Sequence, residues 1–205
     1  VLGSKRWVAR KDKALKQTFD TAAELLQVQA KRSSRQGFSF NVPIKEYQEF
    51  CSKFPYQETF DQNKTIDEVI VDMQKPVPMD RLICGEVGFG KTEVIMRAAF
   101  IAAFNKKQTC VLVPTTLLAS QHFSSFIDRF ENTGVEIGVL SRNIKSKEKD
   151  ELLQKLNEGK IDILIGTHAV LQNNIKFADL GLLVIDEEHR FGVRQKEKIK
   201  SLKEE

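Results

Sequence analysis

The sequence predicts an α/β fold: a parallel sheet with helices on both faces, preceded by an α-helical extension. Two observations carry this. From Met79 onward, short apolar runs alternate with stretches of helical periodicity; before Met79 only helical periodicity appears. The apolar runs are also continuous rather than alternating, as in strands covered by helices on both faces. Strand–helix alternation of this kind gives parallel strands joined by right-handed crossovers.

Residues 10–36 read as one long helix, with Ala14, Leu15, Thr18, Phe19, Ala22, Leu25, Leu26 and Gln29 at three-and-four spacing. Gly37 stops it. A short helix follows Pro43, with Ile44, Tyr47 and Phe50 on one face, and Phe54-Pro55-Tyr56 is an extended connector. Asp61 is placed to cap a third helix running to about Gln74, and Pro76 and Pro78 then break the chain. Arg81 to Cys84 is the first short strand. After a glycine-rich turn come a helix over about 91–105, a strand from Thr109 to Val113 ended by Pro114, and a helix over about 115–131. Val135 to Leu140 is a strand, Ser146 is placed to cap a helix over about 147–158, and Ile161 to Ile165 and Leu182 to Ile185 are strands. Gly192 to Glu205 is a charged helix candidate with no stop signal, which reads as a cut inside a longer protein. The expected division is a helical extension over 1–53 and one lobe over 54–205.

The chain has 205 residues, room for one α/β domain and an appendage. Its 41% hydrophobic and 29% charged residues are ordinary for a soluble globular protein. No apolar run approaches the ~20 residues of a membrane span, and Val1 to Arg10 lacks the pattern of a signal peptide. The expectation is a cytoplasmic protein without a membrane partner. Cys51, Cys84 and Cys110 are too widely spaced for a metal knuckle; Cys84 and Cys110 lie in apolar runs and are expected to be buried, reduced core residues. The net charge of +4 says little, but residues 1–36 hold nine Lys or Arg against three Asp or Glu. Such a stretch is a solvated helix face or a phosphate-contacting one.

Gly85-Glu86-Val87-Gly88-Phe89-Gly90-Lys91-Thr92 fits the pattern G-x-x-x-x-G-K-[ST], between a strand and a helix. The glycines let the backbone wrap so that its N–H groups face phosphate oxygens. The helix start adds partial positive charge. Lys91 would reach the outer phosphates of ATP, and the Thr92 hydroxyl would ligate Mg²⁺. The second anchor is Leu182-Leu183-Val184-Ile185-Asp186-Glu187-Glu188-His189, an apolar strand ending in acids. Asp186 would hold Mg²⁺ through its water shell, and Glu187 would orient or deprotonate the attacking water. Asp-Glu-x-His after a buried strand is the form this motif takes in helicases.

Three hydroxyl-rich turns also follow strands: Pro114 to His122, Ser141-Arg142, and Gly166 to Leu171. All fall at carboxyl ends of strands, where open α/β sheets bind ligands. Singly each is explained by helix capping; together they suit a phosphate backbone. A P-loop small-molecule kinase explains the glycine-rich loop but not these turns. A pure binding scaffold does not explain Lys91, Thr92, Asp186 and Glu187 together.

From Met79 to Ser201 the sequence closely resembles the first RecA-like lobe of the bacterial transcription-repair coupling factors. The resemblance rests on MDRLICGEVGFGKTEVIMRAAF, VLVPTTLLASQHF, GKIDILIGTHAVLQ and LGLLVIDEEHRFGVRQKEKIK, extends through FPYQETFDQ, and takes in the basic N-terminal helix. RecG-like branch-migration motors are next, sharing HRFGV. The resemblance implies a RecA-like P-loop NTPase fold and superfamily-two, ATP-driven translocation on double-stranded DNA. It further implies displacement of stalled RNA polymerase and recruitment of excision-repair proteins, through modules absent from this chain. By motif position Gln62 would read adenine, with Phe54 or Tyr56 packed on the base, although Phe60 stands where proline is expected. His189 would couple the nucleotide site to the DNA track, and Thr115, Thr116, Arg142, Thr167 and His168 become DNA-backbone candidates. The second lobe, which would supply an arginine finger, is not in the chain, so the chain alone is expected to be a weak ATPase.

Overall fold

The computed structural model describes residues 36–192 apart from 86, 87, 142, 143 and 173, together with 195, 198 and 199. The expected helix over 10–36 and most of that over 192–205 lie outside these residues. The elements are α1 (Ile44–Ser52), α2 (Phe60–Met73), α3 (Lys91–Phe104), β1 (Gln108–Leu112), α4 (Thr116–Arg129), β2 (Ile137–Leu140), α5 (Ser146–Asn157), β3 (Ile163–Gly166) and β4 (Leu180–Ile185). Short 3-10 turns span His168–Leu171 and Glu188–Arg190. The strands form one parallel sheet in the order β2-β3-β1-β4. The sequence expectation of a parallel sheet with helices on both faces is borne out.

The central strands β1 and β3 are buried along their whole length, which is why β3 and the second half of β1 are apolar without alternation. On one face Val111, Val113, Ile163 and Ile165 pack against Ile95, Ala99 and Phe100 of α3 and Ala119 and Phe126 of α4. On the other, Cys110, Leu164 and Leu140 meet Leu156 of α5, with Ala169 and Val170. A third cluster joins Ile66, Val69 and Met73 of α2 to Val94, Ala98 and Ile101 of α3 and to Leu182 of β4. Gln108, polar yet buried at the start of β1, is satisfied: its amide donates to Leu156 O at 2.9 Å and Ile161 O at 2.8 Å. Its carbonyl accepts from Asp179 N at 3.0 Å. One side chain thus ties the end of α5 and the entries to β3 and β4 to the central strand.

Helix α1 is anchored in the same core. Phe50 is 2% exposed, stacks on Phe100 at 4.4 Å and lies 5.0 Å from Phe130. The Arg129 guanidinium sits 3.9 Å over the Phe50 ring. Ile44, expected on the same face as Phe50, is exposed.

Several expectations are corrected. Arg81 to Cys84 is extended chain outside the sheet. Arg81 is drawn to Asp72 and Glu68 on α2, Leu82 is 81% exposed, and only Ile83 turns toward the core. Cys84 is therefore exposed, not a core residue, whereas Cys110 is buried as expected. Thr59, not Asp61, caps α2: its hydroxyl accepts from Gln62 N while the Gln62 side chain accepts from Thr59 N. That reciprocal capping box satisfies two helix-start donors. Ser146 opens α5 instead of capping it; Lys145 precedes the helix and makes no side-chain cap. Among the described residues no helix is long and apolar enough to cross a membrane.

Candidate active site

The strand tips gather the motifs. Parallel strands put the ends of β1, β3 and β4 on one edge of the sheet, and α3 opens beside them. Gly88 and Gly90 hold φ of 89° and 72°, in the left-handed region that favours glycine. Gly90 is the residue from which α3 starts. The loop folds over its own lysine, whose Nζ donates to Gly85 O at 2.6 Å. Glu86 and Val87 lie outside the described residues. A side chain at Gly88 would meet nothing within 4 Å, whereas one at Gly90 would run into the Gln62 amide. Gly90→Ala is expected to lose about 1–2 kcal/mol to left-handed strain alone and to push Gln62 off the loop. An unchanged midpoint in chemical denaturation would contradict this.

Asp186 begins where β4 ends, and its N–H extends the ladder by donating to Leu112 O at 2.9 Å. Its carboxylate receives a hydrogen bond from His122 Nε2 at 2.9 Å. That bond comes first, and nearby Lys91 contributes, in holding the Asp186 carboxyl below the usual range despite its burial. The phosphate-loop lysine and the strand-tip acid therefore belong to one electrostatic site.

The sequence places His122 only at the end of the turn segment from Pro114; the structure makes it the direct partner of Asp186. The signal was available: Ala119, His122 and Phe126 form the buried stripe of α4, and a histidine there needs a polar partner. His122 Nδ1 is buried without one among the described residues. His122→Ala is expected to weaken Mg²⁺-dependent nucleotide binding about tenfold, the size seen when a residue orienting a metal-binding group is lost. Titrating Mg²⁺ at fixed nucleotide by calorimetry checks this, and an unaltered Mg²⁺ dependence counts against it.

Glu187 follows in a left-handed conformation, φ 55° and ψ 42°, which is unusual for a residue with a side chain and clusters at functional sites. Glu187 Oε2 lies 3.3 Å from His189 Nε2 and 3.3 Å from Arg190 Nε. The expected water-activating acid and the expected coupling histidine are thus brought together, and Arg190, which sequence reasoning passed over, joins them.

Gln62 reaches the loop from α2. Its Nε2 donates to Phe89 O at 2.7 Å and its Oε1 accepts from Thr59 N at 2.8 Å, so both ends of the amide are engaged. Of the two rings expected to pack on a base, Tyr56 is 74% exposed. Phe54 is half-buried, 5.8 Å from the Arg97 guanidinium and 5.7 Å from that of Arg129.

The backbone-contact candidates separate. Thr115 is exposed and caps α4, its hydroxyl accepting from Leu118 N at 3.2 Å; Thr116 is half-buried in the first turn. Thr167 is 2% exposed and its buried hydroxyl has no partner among the described residues, so it is not presented to solvent as expected. His168 beside it is half-buried. Arg142 lies outside the described residues.

The family model for DEAD/DEAH box helicases matches residues 59–205. The chain belongs to this family. It is 56% identical over 202 residues to the transcription-repair-coupling factor of Haemophilus influenzae and 54% identical over 202 residues to that of Escherichia coli, covering 98% of this chain and 18% of each relative. The chain thus spans under a fifth of the length of those relatives. A structure of RecG bound to a three-way DNA junction matches with a TM-score of 0.75 and 34% identity, over 81% of this chain and 23% of that one. The UvsW helicase from bacteriophage T4, at 19% identity and a TM-score of 0.57, covering 80% of this chain and 57% of that one, shares the fold.

Family membership implies nucleotide binding, and the residues fit it. The left-handed glycines leave the loop open at Gly88, the start of α3 faces the loop, and an ionised Asp186 lies near Lys91. A hydroxyl and a carboxylate, Thr92 and Asp186, are the donors a hard cation takes when phosphates supply the rest.

Proposed function

We propose that this chain is the ATP-binding lobe of a superfamily-two motor. That motor would move along double-stranded DNA and couple transcription to repair by displacing stalled RNA polymerase. The observation that carries the reading is the glycine-rich loop folded over Lys91, together with a strand-tip Asp186 held by His122, in a chain so similar to transcription-repair-coupling factors. Lys91 and the N–H groups at the start of α3 would hold the phosphates. Thr92 and Asp186 would hold Mg²⁺, which when bound offsets the charge on the phosphates. Glu187 would take a proton from the attacking water. His189, on Glu187, would pass the state of the nucleotide toward the DNA side, where exposed Thr115, with half-buried Thr116 beside it, would contact the backbone. Gln62 would exchange its bond to Phe89 for the adenine edge, with Tyr56 rather than Phe54 as the ring free to stack. RNA polymerase and excision-repair proteins would be met through other parts of a longer protein working in the cytoplasm.

The second reading is a RecG-like branch-migration motor, favoured by the structural match to RecG. Full-length protein carrying this lobe separates the two. ATP-dependent release of a polymerase stalled on duplex DNA supports the first reading. Processing of a three-way junction with the stalled polymerase left in place supports the second and sinks the first.

A further inference from the structure

The most buried charges in the described structure lie outside the phosphate site. Glu93 and Arg97 of α3 are each 5% exposed. Arg97 Nε donates to Glu93 Oε1 at 2.9 Å, and its Nη2 bonds Glu58. From α4, Arg129 donates to both Glu93 oxygens, at 3.1 and 2.8 Å. Two arginines balance two glutamates. Burying Glu93, Arg97 and Arg129, with Glu58 at the edge, is often no better for stability than apolar packing of the same volume, which points to the geometry they fix.

Three of the four sit on helices α3 and α4, which the core already holds together. Glu58 alone comes from the connector, one residue before the Thr59–Gln62 capping box. Arg97 is six residues beyond Lys91, about 9 Å along the same helix. The segment from Glu58 to Gln62 is therefore pinned to α3 at one end by Arg97, and to the phosphate loop at the other by the Gln62 bond to Phe89 O. Arg97 and Arg129 also flank Phe54, fixing the start of the connector.

We infer that Glu58, held by the Arg97–Glu93–Arg129 cluster, is a positioning residue. It seats Gln62 against the phosphate loop and thereby sets the preference for adenine over other bases. This rests on the reading of Gln62 as the adenine-recognising side chain. Glu58 would act through the register of the connector, where its bond to Arg97 holds it.

The test uses the chain itself in three variants: Glu58→Gln, which keeps shape and removes charge; Glu58→Asp, which keeps charge; and Gln62→Ala. ATP and GTP compete against a fluorescent ATP analogue, and amide hydrogen exchange is followed at Gln62 and Asn63, whose N–H groups bond to Thr59. Glu58→Gln is expected to lose about tenfold in the ATP-over-GTP ratio, the size of one charge-assisted hydrogen bond. Exchange at both amides should quicken while the melting temperature holds, and Glu58→Asp should retain most of the preference. If Gln62→Ala loses the preference and Glu58→Gln keeps it, the positioning role is overturned and the adenine reading stands. If both variants keep it, or the wild-type chain has no preference, the adenine reading is overturned and the inference falls with it.

Discussion

A Lys91→Ala chain is expected to bind ATP at least about a hundredfold more weakly than the wild type, with its fold intact. The magnitude follows from removing a charged donor aimed at phosphate oxygens, since truncating one partner of a hydrogen-bonded charge pair costs roughly 2–5 kcal/mol of binding. The fold should survive because α3 is fixed independently of Lys91, by Val94, Ile95, Ala98, Ala99 and Ile101 in two core clusters. Titration with a fluorescent ATP analogue, beside a thermal melt, checks both halves. Equal affinity in the variant would remove the nucleotide reading of the glycine-rich loop.

The second large effect is expected at Glu187. Glu187→Gln should leave nucleotide affinity within about twofold but slow hydrolysis by about 10²–10⁴, the usual contribution of a positioned general base. The geometry supports that split. Glu187 lies one residue past Asp186, turned away from strand continuation by its left-handed backbone. It faces His189 and Arg190 instead. Single-turnover phosphate release in full-length protein carrying this lobe is the measurement. Preserved turnover would move the catalytic base to another residue.

The sheet and its helices were legible because their signals are local and repeated. Buried parallel strands such as Ile163–Gly166 are apolar without interruption, and α3 announces itself by the loop that precedes it. The Thr59 cap was also written in the sequence, as Thr-x-x-Gln, but the acidic Asp61 two residues later drew the assignment. What could not be read is what depends on non-local partners. The run from Arg81 to Cys84 looks like a strand until Asp72 and Glu68, a turn and more away on α2, claim Arg81. Likewise nothing local to α4 says that His122 will face a carboxylate 64 residues downstream. The candidate site follows the same rule. Motif spacing gave the phosphate loop and the acids, whereas the orienting histidine, Arg190 and the split between Phe54 and Tyr56 required coordinates.

The phenylalanine contact between α1 and α3 has a mechanical meaning. Helix α3 has two working ends: Lys91 at the first, beside the phosphate loop, and Phe100 near the second, stacked on Phe50. A tug on the chain ahead of Ile44 cannot shift α1 as a free tether, because moving it means sliding one ring off another and uncovering the core beneath. That contact bears on the helix that opens at Lys91. Although the sequence divides naturally at residue 53, the ring of Phe50 ahead of that point is seated in the same core as α3, so α1 and the helix that opens at Lys91 share one contact.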